Sequence, residues 1–137
     1  MNRIIKFRGK SLVDIGNIKK GDWVYGGIAY DTDRVWIDMP YYGQILVDKK
    51  TVGQYTGLHD KNGKEIYEGD IIKCKKYIGG NFVDYCIEKG FVEFKDGEFG
   101  LHRKQGYYQS LRKFIEYDYE LEVISNIYDN PELLGEK

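Results

Sequence analysis

The side chains able to bind a metal or attack a bond are few and scattered. Cys74 and Cys86 are separated by eleven residues with no second pair, and His59 and His102 are the only histidines. A structural zinc site takes four ligands, usually in closely spaced pairs, so no metal and no other cofactor is expected. Ser11, Ser110 and Ser125 occur without the Gly-x-Ser-x-Gly elbow of a hydrolase nucleophile. Gly79-Gly80-Asn81-Phe82 lacks the Gly-Lys-Ser/Thr ending that cradles phosphates. Glu65, Glu68 and Asp70 gather three carboxylates. Acid–base work needs an environment that drives their pKa values apart, and turn or strand-edge carboxylates account for the pattern more simply. No catalytic residue is assigned, and an enzyme is the weakest functional class.

Two other patterns suit contact rather than catalysis. Residues 99–115 carry Arg103, Lys104, Arg112 and Lys113, with His102 and no acid, interleaved with Tyr107, Tyr108 and Phe114. Cations that track phosphates beside rings that stack on bases make a nucleic-acid surface. Arg103, Lys104, Tyr107, Arg112 and Lys113 are therefore the candidate nucleic-acid contacts. The simpler account, which is favoured, makes the rings a buried helix stripe and the cations its solvated side. The second pattern is Trp23, Tyr25, Tyr30, Trp36, Tyr41 and Tyr42. A part of about 50 residues is too small to bury so many rings alone, and Trp and Tyr anchor interfaces. Trp23, Tyr25, Trp36, Tyr41 and Tyr42 are the candidate interface. The competing reading packs these rings on the C-terminal part of the same chain.

The elements that must position these residues are mostly strands. The chain has 137 residues, 21 Lys and Arg against 22 Asp and Glu, and a net charge of −1. That balance excludes a strongly basic nucleic-acid packaging protein and an acidic nucleic-acid mimic. Charge is uneven along the chain: residues 1–20 are basic, with Asp14 the lone acid, and residues 116–136 hold acids and no base. Such segments invite complementary contact within or between subunits. The 13 Tyr favour strands, and 17 Gly with 2 Pro favour tight turns between them. No run approaches the roughly 18 apolar residues of a membrane helix, and the first residues do not resemble a signal peptide. A soluble, cytoplasmic protein with reduced thiols is expected.

Strands are predicted at Ile4–Phe7, Arg34–Ile37, Gln44–Val47, Thr51–Tyr55, Glu65–Tyr67, Gly90–Phe94, Phe99–Leu101 and Glu120–Ile124, and turns feeding into strands at Gly21–Ile28 and Gly69–Cys74. Asn62-Gly63 and Asp96-Gly97 mark hairpin tips. The spacing of Tyr107, Tyr108, Leu111, Phe114 and Ile115 predicts one helix over 107–116. Asn130-Pro131 opens a capped terminal turn. The one seam is at Asp48-Lys49-Lys50, dividing residues 1–50 from 51–137. Gly21-Asp22 is echoed faintly by Gly69-Asp70, the kind of turn that opens the first long strand of SH3-like barrels.

From Val52 to Asp70 the chain reads Val-Gly-Gln-Tyr-Thr-Gly-Leu-His-Asp-Lys-Asn-Gly-Lys-Glu-Ile-Tyr-Glu-Gly-Asp. This run resembles the signature of the YopX family of bacteriophage and prophage proteins. The opening Arg3–Arg8, Gly21–Gly26, Val92–Gly97 and Glu122–Leu134 agree with it. Departures fall at Ser125, where the family commonly has Gly, and in stretches 75–90 and 100–118. The resemblance implies a mainly β (α+β) protein: a small N-terminal α+β part, 1–50, then an SH3-like antiparallel β-barrel with one short helix, 51–137. It also implies self-association and a phage-encoded protein without an assigned activity, and it brings no catalytic residues. The combined expectation is a phage or prophage accessory protein acting through contacts with itself, as a homo-oligomer, or with a host protein. Nucleic-acid binding through residues 99–115 is the alternative.

Overall fold

A computed structural model describes residues 3–78, 81–103, 108–117 and 119–135, with side chains omitted at 77–78, 81–88 and 108. Its contacts divide the chain into two units, Met1–Gly57 and Leu58–Lys137. The protein is mainly β, and its described residues form two antiparallel five-stranded sheets and one short α-helix.

The first unit holds β1 (Phe7–Ser11), β2 (Trp23–Tyr30), β3 (Val35–Met39) and most of β4 (Gly43–His59). β2, β3 and β4 form a meander, and β1 pairs with both β2 and β4. Alternation places Val24, Ile37, Ile45 and Val47 on one face, where they form a core with Ile18. Gly9 lies over this core, and a Cβ there would come within 3.0 Å of Val47. The described elements of this unit are strands and turns, whereas the resemblance implies an α+β part.

Two strands expected from sequence, Gln44–Val47 and Thr51–Tyr55, are one strand, β4. The Asp48-Lys49-Lys50 cluster sits at a bulge inside it. The β1 partner jumps from Gly53 opposite Arg8 to Asp48 opposite Lys10. Asp48 Oδ1 accepts from the Lys50 amide at 3.1 Å, and the Thr51 hydroxyl donates to the Asp48 carbonyl at 2.6 Å. Thr51 Oγ1 in turn accepts from the Lys10 amide. The extra residues are thus held by side-chain bonds while Lys49 and Lys50 stay exposed.

The second unit contains β5 (Glu65–Tyr67), β6 (Asp70–Ile78), β7 (Asn81–Lys95), β8 (Glu98–Arg103), β9 (Tyr108–Ser110), α1 (Leu111–Glu116) and β10 (Tyr119–Asn126). A short 3-10 helix, Pro131–Leu134, follows. The sheet order is β10-β6-β7-β8-β9, while β5 pairs with β4. α1 packs against β8, β9 and β10, so it touches both ends of that order. Ile66, Ile72, Cys74, Val92, Leu101, Leu111, Phe114 and Leu121 form the core. The Cys74 thiol is free and buried there. The Cys86 side chain lies outside the described residues.

Both predicted hairpins exist, with different turns. Asp96 and Gly97 have φ of 53° and 84°, and Lys95 pairs with Glu98, as a two-residue primed turn requires. At the other tip only Gly63 is positive, at 80°, and its amide reaches back to the Asp60 carbonyl at 3.0 Å. That is a longer loop with glycine at its left-handed position.

The predicted helix over 107–116 is corrected to Leu111–Glu116. Tyr108–Ser110 pair instead with Gly100–His102 as β9, so sheet bonds capture the first part. Tyr107 lies outside the described residues. Leu111 and Phe114 are buried as the periodicity predicts, but Ile115 is 44% exposed.

Candidate functional site

The aromatic residues of unit 1 divide by strand alternation. Trp23 and Tyr25 flank the buried Val24, so they face away from the core. Opposite them across the β1–β2 ladder are Lys10 and Arg8. The Arg8 guanidinium lies 4.5 Å from the Trp23 ring centre and the Lys10 ammonium 5.5 Å. These are cation–π distances. Trp36 is half-buried and shares a cross-strand row with Ala29 and Leu46. Arg34 covers its ring at 5.0 Å. Asp31 holds Arg34 through two nitrogens, at 3.2 and 2.9 Å. The amides of Asp33 and Arg34 lead the groups that keep the Asp31 carboxyl below its usual range.

Tyr41 and Tyr42 part company at the β3–β4 tip. Tyr42 packs against the unit 1 core. Tyr41 is fully exposed and has φ of 71°, a left-handed conformation unfavourable to a bulky residue. Tyr25, at 41%, is exposed as well. The five candidate interface residues thus separate into one core ring, two tryptophans covered by cations, and two exposed tyrosines.

The basic stretch is less unified. Arg103 is half-buried, its guanidinium 5.8 Å from the Phe114 ring centre. Arg112 is exposed but bonds Glu116 at 3.1 Å. Lys113 is exposed on the same helix. Arg112 and Lys113 line a shallow groove of about 430 Å³ together with Gln109, Ser110 and two carboxylates, Glu98 and Glu116. Arg103 lines a different cavity. Lys104, like Tyr107, lies outside the described residues.

The carboxylates of the signature run hold backbone. Asp60 is buried at the hairpin tip. Its Oδ1 accepts from the amides of Asn62 and Lys64 at 2.8 and 2.9 Å, and its Oδ2 from Val123 in β10 at 3.0 Å. Burial pushes this carboxyl up, but the amides of Val123, Lys64 and Asn62 outweigh it, so the net shift is downward. Lys61 beside it bridges Glu120 and Glu122 on β10 at 3.1 and 3.8 Å. Asp70 is 1% exposed and accepts from the Tyr67 amide at 2.7 Å. Glu65 accepts from the Tyr67 hydroxyl at 2.9 Å. Among the described residues, no three His, Cys, Asp or Glu side chains gather closely enough to hold a metal. No helix among them is long and apolar enough to cross a membrane.

One pairing escaped the sequence reading, which took His102 as part of the basic stretch. His102 Nδ1 meets Glu93 Oε1 at 3.0 Å, and its ring stacks on Phe91 at 5.1 Å. The signal was available. Counting back from the Asp96-Gly97 turn sets Phe91 opposite His102 and Glu93 diagonal to it.

The fold and these surfaces define a two-sheet, mainly β protein whose signature residues fasten turns to strands. A protein-family model described as YopX protein matches residues 6–135, nearly the whole chain. The chain belongs to the YopX family. No curated protein matches it.

Proposed function

We propose that this chain is a phage- or prophage-encoded accessory protein of the host cytoplasm that acts through protein contacts made by its first unit, with itself or with a host protein. The observation that carries the reading is the exposed apolar surface of that unit. Tyr41 and Tyr30 stand fully and 77% exposed, with Ile4 and Ile5 at 62% and 58%. Leu12, Val13 and Ile15 add further exposed apolar area before β2. Exposed tyrosines with aliphatic neighbours in the chain supply the kind of side chain that interfaces bury. A strained tyrosine at a hairpin tip supports the same reading, since strain collects where function needs a fixed geometry.

The remaining finer readings belong with it. The second unit is read as an SH3-like barrel, which the packing of α1 on both end strands favours. The protein is read as a homo-oligomer. Light scattering at micromolar concentration tests this: a mass above one chain is expected, falling when Tyr41 is replaced by Gly. That change removes the ring and relieves the backbone, so the fold persists. A mass of one chain at every concentration and salt would retire self-association and leave the host partner.

A further inference from the structure

His102, paired with Glu93, lines a small cavity. Glu93 on β7 and His102 on β8 share the face opposite Val92 and Leu101, which are buried in the core. Two contacts fix the imidazole. Phe91, directly opposite in the ladder, stacks on it with an interplanar angle of 18°. The Glu93 carboxylate can only accept, so Nδ1 carries the proton that bridges the 3.0 Å contact. In the neutral ring Nε2 is then a lone-pair acceptor of fixed direction. His102 lines a cavity of about 230 Å³ together with Phe91, Arg103 and Leu134. Leu134 comes from the 3-10 helix, which packs on β7.

The geometry points to a binding site for a small neutral molecule with an apolar ring and one hydroxyl or N–H donor. The ring would lie against Phe91 and Leu134, and the donor would bond to His102 Nε2. Carboxylate–imidazole pairs serve in sites because the carboxylate sets the tautomer that the other nitrogen presents. Here Glu93 is the positioning residue and His102 the contact. Both are half-exposed, so the site is open to solvent and suits a weakly held ligand.

Nitrogen-detected NMR of the full chain reads the tautomer, and titration reads the binding. His102 is expected as the Nδ1–H form. Phenol should give saturable shifts confined to Phe91, His102, Arg103 and Leu134. Toluene, which has the ring without the donor, should bind about fivefold or more weakly, the worth of one net hydrogen bond. His102→Phe keeps the stack and should reduce phenol binding to the toluene level. Glu93→Gln should shift the ring toward the Nε2–H form and weaken phenol without changing toluene. Absence of saturable shifts at millimolar phenol, equal binding of phenol and toluene, or a dominant Nε2–H tautomer in the native chain would each overturn the site.

Discussion

At the scale of single residues, the signature side chains act on the backbone. Asp60 joins its own turn to Val123 through three amide bonds, replacing solvent on both oxygens. An amide at this position keeps one acceptor oxygen but turns an NH₂ group toward a backbone donor. Asp60→Asn should therefore cost about 2–4 kcal/mol in urea unfolding. The pH dependence has a definite sign. The folded-state pKa of Asp60 is depressed, so its stabilisation is complete above the ordinary carboxylate value of about 4. It is lost as pH falls through the folded value. The gap between native chain and variant should be constant near neutrality and close below that window. A gap that widens in acid would contradict the assignment. Two left-handed positions predict opposite signs. Gly97→Ala should destabilise by about 1 kcal/mol, because φ of 84° suits glycine alone. In the dissociated chain, Tyr41→Gly should stabilise by about 0.5–1 kcal/mol, because an L residue is strained at 71°. Thermal melts of the two variants check both signs.

At the scale of elements, close strand approach sets the next prediction. A Cβ on Gly26 would collide with the Asp38 carbonyl on β3, and one on Gly90 would lie 2.6 Å from the His102 carbonyl. Neither neighbour is a flexible side chain. Gly26→Ala should cost more than about 3 kcal/mol and lower the melting temperature by circular dichroism far more than Gly27→Ala, whose Cβ meets only Asp38 Cβ at 3.9 Å. These elements also show what was legible in the sequence. The Asp96-Gly97 hairpin was, because a two-residue turn is a local matter. β4 was not, because its bulge looks like a break: charged residues interrupt the alternation while Asp48 and Thr51 hold the strand together. The helix was legible only from Leu111 onward, since Tyr108–Ser110 are claimed by β8, a non-local partner. The same limit governs the surfaces. Aromatic density near Trp23 is plain in the sequence, yet the cations over that ring come from β1, paired at a register no local pattern fixes.

At the scale of the whole molecule, charge weighs against nucleic acid as the partner. Residues 1–57 carry nine Lys and Arg against six Asp and Glu, and residues 58–137 carry twelve against sixteen. The proposed nucleic-acid stretch therefore sits in the acidic unit. Among the described residues its exposed cations do not form an uninterrupted track, because Arg112 is bonded to Glu116 and the groove beside Lys113 also presents Glu98. Phosphate binding draws its affinity from released counterions, so each neutralised cation lowers both affinity and salt slope. At about 0.15 M salt, where the screening length is roughly 8 Å, single-stranded DNA should give no retarded band with micromolar protein. The matched control is the triple replacement of Arg103, Arg112 and Lys113 by Gln, which should leave that negative result and the oligomeric mass unchanged. A retarded band in the native chain that the triple variant loses would move the function to nucleic-acid binding. A mass unaffected by the triple variant but reduced by Tyr41→Gly would place the partner surface on unit 1.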